Sequence, residues 1–228
     1  MKVVNTHLTT CYMCDRDATT VEHAPPKCLF PEKKDVSSQK DYRKNLITVP
    51  SCVVHNTATS REDEYLLYML SASITSSDVG LNQFLTKVKR AAERSPSLAN
   101  SMLVSTDPMK IFHEDTQEWN DAYGIQIQGK RLDLVFIKNA YALYFHEKRK
   151  KFDGRVQVVT GFTLYNELSV NSAIASAVTA AEDYFSQHEA KGDNPEIFFY
   201  KFEEGSNSAI LLMNFYGTSK VLVHLDKR

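Results

Sequence analysis

Two short pairs of potential metal ligands near the N-terminus constrain the fold of this chain more than any other feature. Cys11 and Cys14 form a Cys-x2-Cys pair, and Cys52 and His55 form a Cys-x2-His pair, with thirty-seven residues between Cys14 and Cys52. A two-residue spacing lets one tight turn aim both side chains at one ion, and two such turns supply the four ligands of tetrahedral zinc. The pattern therefore predicts a structural zinc site at Cys11, Cys14, Cys52 and His55.

Two alternatives to this ligand set remain open from the sequence. Cys28 lies between Pro25 and Phe30 with no second ligand nearby, which favours a small buried hydrophobic residue. If Cys28 replaced His55, the site would have four thiolates. All four cysteines could also be reduced core residues beside an incidental histidine.

The segment that contains the cysteines is poor in other stabilising features. It carries four of the seven prolines of the chain, at positions 25, 26, 31 and 50, and has no long apolar periodicity. Burial of apolar side chains alone would hold such a segment weakly, which strengthens the case for a bound ion.

The composition limits the classes of protein to which this chain can belong. With 228 residues, 43% of them hydrophobic, the chain can build a sizeable core. A net charge of −1 does not favour strong non-specific nucleic-acid binding, although local patches of positive charge matter more for such binding than the net charge. No apolar run is long enough to span a bilayer and the N-terminal residues are polar, so we expect a cytoplasmic protein with reduced cysteines and no membrane contact.

Beyond residue 60 the sequence alternates between helical and strand periodicity. Ser60 and Asp63 resemble a capping box that begins a helix. Further helices are predicted over residues 81–94, 131–150 and 170–189, and strands over 156–164, 196–202, 209–215 and 220–225. The prediction is an α+β protein, in which a zinc-stapled module at residues 1–65 precedes a helix-rich α+β domain at residues 66–228.

Between the two ligand pairs lies a second group of polar residues. Glu22-His23-Ala24-Pro25-Pro26 precedes Asn45-Leu46, and Asn56 directly follows His55. The Cys11–Cys14 and Cys52–His55 pairs are each a zinc knuckle. Together with these knuckles, this order of residues resembles the HNH endonuclease family, in particular a bacterial branch with two zinc knuckles. The resemblance is specific over about the first 65 residues and loose beyond them.

The resemblance implies a ββα-metal hairpin and helix with a defined set of roles. His23 would act as the general base, and Glu22 and Asn56 would hold one magnesium or manganese ion. Asn45 would orient the loop that positions His23. This chain departs from the family pattern at Glu22, where aspartate is commoner, at Asn56, where histidine is frequent, and at His55, which replaces a cysteine.

The activity implied is hydrolysis of phosphodiester bonds within nucleic acid, with DNA as the default substrate and tRNA or other RNA as a further possibility. The same resemblance implies a bacterial or phage defence effector. Two other functions remain open: a zinc-dependent module that binds nucleic acid or protein without catalysis, and a nuclease subunit active only with an ATPase or sensor partner.

The remaining polar and aromatic residues are interpreted mainly as structural. Two basic clusters, residues 87–94 and 148–151, either contact phosphates or form solvated helix surfaces, and we favour the second interpretation. Five aromatic residues are predicted to lie in the core rather than to stack on bases: Trp119, Tyr123, Tyr141, Tyr144 and Phe145.

Overall fold

The computed structural model describes residues 10–36, 39–73, 76–95, 106–113 and 116–228. Its first unit is an antiparallel hairpin of β1 (Thr20–His23) and β2 (Thr48–Ser51), followed by the short helix α1 (Val53–Thr57). The loop between the strands contains two 3₁₀ turns, at Lys27–Leu29 and Lys33–Asp35. The described part of the N-terminal module thus has ββα order.

Helix α2 (Ser60–Ser71) begins near its predicted position, but the predicted cap is wrong. Thr59 is the N-cap residue and makes no side-chain cap bond, while the Ser60 hydroxyl donates to the Thr57 carbonyl over 3.1 Å. Asp63 pairs with Lys138. The predicted cap residues therefore have other partners, and α2 is stabilised mainly by its buried face from Tyr65 to Leu70.

The predicted helix at residues 81–94 is longer and less regular than expected. It consists of α3 (Asp78–Gln83), a π-helical turn (Phe84–Val88) and α4 (Lys89–Arg94). The Ser77 hydroxyl accepts a weak 3.5 Å hydrogen bond from the Gly80 amide, which caps the first turn and explains the earlier start.

A hairpin of β3 (Thr106–His113) and β4 (Glu118–Ile125) was not predicted. It pairs with no third strand in the described ranges, so much of its surface faces solvent. The prediction that Trp119 and Tyr123 lie in the core is wrong, because they are 64% and 71% exposed. Tyr144 and Phe145, from the same prediction, are buried.

The long helix α5 (Gly129–Lys148) is the central element of the fold. It contacts α2, β2 of the N-terminal hairpin and β5 of the main sheet. Its apolar face, including Leu132, Val135, Phe136 and Leu143, is fully or almost fully buried. The helical periodicity of this segment predicted both the element and the buried face correctly.

The main sheet has five strands in the order β5-β9-β8-β7-β6, all antiparallel. They are β5 (Gly154–Thr160), β6 (Lys191–Asn194), β7 (Phe198–Glu204), β8 (Ser208–Phe215) and β9 (Ser219–Lys227). The three predicted strands at the end of the chain correspond to β7, β8 and β9. Helix α6 (Leu168–Tyr184) ends before its predicted limit of 189 and contacts β9.

One hydrophobic cluster runs from Cys11 and Tyr12 to Val223 and Leu225. The buried Tyr216 hydroxyl donates to the Leu29 carbonyl over 2.7 Å and thereby ties the main sheet to the loop of the first hairpin. Within the described ranges, no helix is both long and apolar enough to cross a bilayer.

Candidate functional site

The four predicted zinc ligands lie together. One ligand atom from each of Cys11, Cys14, Cys52 and His55 falls within 4.8 Å of all the others. The Cys14 and Cys52 sulfurs are 3.9 Å apart, and His55 Nδ1 is 3.3 Å from the Cys11 sulfur and 3.5 Å from the Cys52 sulfur. Tetrahedral zinc with bonds of about 2.3 Å to sulfur and 2.0 Å to nitrogen places sulfurs about 3.8 Å apart and sulfur and nitrogen about 3.5 Å apart.

Local backbone structure aims the two pairs at one point. The Cys11 amide donates to the Arg16 carbonyl over 2.8 Å, which closes the first turn, and the Tyr12 amide donates to the Pro50 carbonyl of β2 over 2.9 Å. Cys52 is the N-cap residue of α1, and His55 lies within that helix. Hydrogen bonds from the backbone at His55 lower the pKa of the Cys52 thiol, which favours the thiolate that a metal requires.

The donor set and its spacing therefore fit zinc, and His55 rather than Cys28 completes the set. The Cys28 thiol donates to the Asp63 carbonyl over 3.3 Å and belongs to no metal cluster in the described ranges. Burial raises the pKa of Cys28 to about 12, so it remains a neutral thiol. Its interpretation as a small buried side chain is consistent with these contacts.

His23 is the last residue of β1, and its imidazole is half-buried. Burial lowers the pKa of His23, and the nearby charges of Lys27 and Arg43 lower it further. A neutral imidazole near pH 7 can accept a proton, which is the property required of a general base. The charges of Lys27 and Arg43 would also attract an anionic phosphate, and Arg43 is held in place by bonds to the Phe30 carbonyl at 3.1 Å and to Glu32 at 3.4 Å.

Glu22 is adjacent to His23 in sequence but projects to the opposite face of β1, since side chains alternate along a strand. It is 4% exposed, and its Oε1 lies 3.2 Å from the Lys138 ammonium of α5. Lys138 also contacts the Thr59 hydroxyl at 2.6 Å and an Asp63 oxygen at 3.0 Å. These three groups surround the ammonium on the inner side of the module.

Sequence reasoning missed Lys138, which is itself only 4% exposed. It stands on the apolar face of α5, three residues after Val135 and four before Ala142. A lysine at such a position requires a buried anionic partner. That signal was available from the helical periodicity, although the identity of the partners, in β1 and α2, was not.

The two asparagines of the proposed constellation occupy different parts of the hairpin. Asn56 Nδ2 donates to the Val21 carbonyl over 3.3 Å, so this side chain of α1 lies against β1. Asn45 precedes β2 and has a left-handed backbone with φ of 54°. Asparagine tolerates that conformation better than most residues, which accounts for its presence at this corner of the loop.

As arranged here, Glu22 and Asn56 do not fit a hydrated magnesium or manganese ion. Magnesium keeps several of its waters when it binds protein, and the buried Glu22 carboxylate leaves little room for them. The Lys138 ammonium already supplies a positive charge to the same carboxylate. Glu22 Oε2 is buried and has no hydrogen-bond partner among the described residues. A second cation at this carboxylate would be repelled by the ammonium.

No protein-family model, no curated protein and no solved structure matches this chain. The chain itself brings together a cluster suited to zinc, a histidine whose pKa is lowered by burial and by two cations, and a buried Glu22–Lys138–Asp63 group.

Proposed function

We propose that this protein is a zinc-stabilised nuclease of the HNH type, which hydrolyses phosphodiester bonds in nucleic acid with His23 as the general base. The observation that carries the proposal is the neutral, half-buried imidazole at the end of β1, in a hairpin that continues into the Cys52–His55 knuckle. A metal-pinned hairpin holds such a base more rigidly than a free loop would.

The chemistry assigned to these residues is a single in-line displacement. His23 accepts a proton from water, the water oxygen forms a bond to phosphorus, and the bond from phosphorus to the 3′ oxygen breaks. The 3′ oxygen takes a proton from solvent water and leaves as a hydroxyl group. Lys27 and Arg43 lie close enough to lower the pKa of His23, and their charges would favour the approach of the phosphate and its developing negative charge. Zinc holds the frame and takes no part in the displacement.

A second candidate is a zinc-dependent module that binds nucleic acid or protein without catalysis. The specific observation in its favour is the Glu22–Lys138 ion pair, which engages the carboxylate that the family resemblance assigns to a catalytic cation. In this function the same knuckles present a binding surface, and His23 has no chemical role.

The test is a cleavage assay on supercoiled plasmid and on structured RNA, with and without added magnesium or manganese. Wild type is compared with His23→Ala and with His224→Ala, a matched control because His224 lies on β9, outside this hairpin. We expect His23→Ala to slow cleavage by at least about 100-fold, since a general base typically contributes that much, while His224→Ala retains the wild-type rate.

Equal cleavage by wild type and folded, zinc-loaded His23→Ala would refute the catalytic role. Binding that depends on zinc, with no cleavage under any condition, would instead support the non-catalytic module. Cleavage that requires added magnesium would contradict the displacement without a divalent cation that is proposed here.

A further inference from the structure

A cavity of about 460 Å³ opens between the loop before β2 and the end of α5. The loop contributes residues 45–48, α5 contributes His146 and Glu147, and Arg149 follows at its C-cap. Lys191 to Asp193 of β6 close the other side, and Tyr200 of β7 also lines the cavity. Its walls are mainly polar, and a space of this size accommodates a nucleotide-sized group.

One residue of the basic run at 148–151 lines this cavity, and the other three cations of the run have partners. Lys148 forms an ion pair with Glu204, Lys151 pairs with Asp15 at 2.7 Å, and Lys150 lies 5.9 Å from the centre of the Tyr144 ring. Within the described ranges, the Arg149 guanidinium has no hydrogen-bond or ion-pair partner. Arg149 is also the member of this run that lines the cavity.

In the other basic cluster, at residues 87–94, Lys87 and Arg90 are bonded to other parts of the protein. Lys87 donates to the Cys28 carbonyl over 2.8 Å, and Arg90 pairs with Asp35 at 2.8 Å. Both groups are therefore bonded to the protein and do not form the solvated helix surface that was predicted. Arg149 differs from them because it lines a cavity and, within the described ranges, its guanidinium has no such partner.

The neighbouring groups leave donors available for an anion. Glu147 is already neutralised, since its two oxygens accept 2.7 Å hydrogen bonds from Lys191 and Tyr200. His146 has a buried Nδ1 with no hydrogen-bond partner in the described part of the chain. Asp193 is the remaining carboxylate of the lining, and it suits the hydroxyl or amino groups of a nucleotide rather than its phosphate.

The backbone at Arg149 also argues for a role of its side chain. Arg149 has a φ of 55° at the C-terminus of α5, a left-handed position at which glycine is the usual residue. A residue with a Cβ atom is disfavoured there, and the chain nevertheless places a long cation at this point. Asn45 and Gly192, on the opposite walls, are left-handed as well, so three such residues shape the cavity.

We propose that this cavity binds a phosphate group of a nucleotide unit, with Arg149 as the principal contact and Lys191 as a second. A guanidinium offers paired N–H donors that match phosphate oxygens. The phosphate belongs either to a nucleic-acid strand or to a free nucleotide. The hypothesis that the phosphate belongs to a nucleic-acid strand rests on the proposed function. Under that hypothesis, the cavity holds the substrate beside the hairpin that carries His23.

The experiment measures binding in the His23→Ala background, so that its outcome does not depend on cleavage. Fluorescence anisotropy follows a labelled 16-nucleotide DNA strand and its RNA counterpart, and calorimetry follows AMP. Arg149→Gln is compared with Lys150→Gln, which removes the same charge from the adjacent residue outside the cavity lining. Thermal unfolding of both variants checks that the fold is retained.

We expect Arg149→Gln to weaken strand binding roughly fivefold at 0.1 M salt and to reduce the salt-dependence slope by about 0.7, the value for one phosphate contact of a single strand. Lys150→Gln should change affinity less than about twofold. If only AMP binding depends on Arg149, the source is a free nucleotide. Equal binding of all probes by the two variants, or binding of none by the parent, would overturn the proposal.

Discussion

Replacing Lys138 with methionine is expected to be among the most damaging single changes in the chain. Methionine has a similar length and volume, so the substitution removes a charge and creates little empty space. It leaves the buried Glu22 and Asp63 carboxylates without the cation that they share. Loss of one partner from a buried ion pair typically costs about 3–5 kcal/mol, a large fraction of the roughly 5–15 kcal/mol that stabilises a domain.

The assay is urea unfolding of zinc-loaded protein at pH 8, where Glu22 is mostly ionised. Lys220→Met provides the control, because Lys220 forms a more exposed ion pair with Glu182, and such pairs contribute only about 0–1 kcal/mol. The loss in Lys138→Met should shrink at pH 5, since a protonated Glu22 no longer needs a cation. If both variants lose the same small free energy of unfolding at pH 8, the inner ion pair does not stabilise the fold as argued.

Two further predictions concern the zinc site and Glu22. Cys14→Ser should abolish the binding of about one zinc per chain and lower the unfolding temperature by about 10 °C or more, whereas Cys28→Ser should keep the metal. Elemental analysis measures the bound zinc and calorimetry measures the unfolding temperature. A Cys14→Ser protein that still binds zinc would contradict the ligand assignment. Burial raises the pKa of Glu22 from 4.5 to about 7. Its stabilising contribution is therefore complete below pH 4.5 and is lost as the pH rises through 7, a change on the order of 3 kcal/mol. Glu22→Gln should remove this component from the pH dependence of the unfolding free energy, and an unchanged profile would show that Glu22 does not titrate in this range.

Elements governed by local pattern could be predicted from the sequence. The strands β7, β8 and β9 alternate clearly and are separated by turns containing Gly205 and Gly217. Helix α5 has a clear apolar stripe. The zinc cluster was predictable because two-residue spacing restricts where a pair of ligands can point, whatever the rest of the chain does.

Elements governed by distant contacts or by solvent could not be predicted in the same way. The β3–β4 hairpin contains Pro108 and several charged residues, and its exposed aromatic side chains give no contrast between an inner and an outer face. The Glu22–Lys138 pair joins residues 116 positions apart. Motif spacing identified Glu22 but carried no information about which distant cation would reach it.

The loop between β1 and β2 receives support from the opposite end of the chain. Besides the Tyr216–Leu29 contact, the Tyr42 hydroxyl donates to Glu196 over 2.7 Å, and the Asn194 amide donates to the Lys44 carbonyl over 3.1 Å. The conformation of the hairpin loop consequently depends on contacts with residues near the C-terminal end of the chain. Grafting the hairpin onto another protein would transfer the metal ligands and leave behind the scaffold that gives its loop a shape.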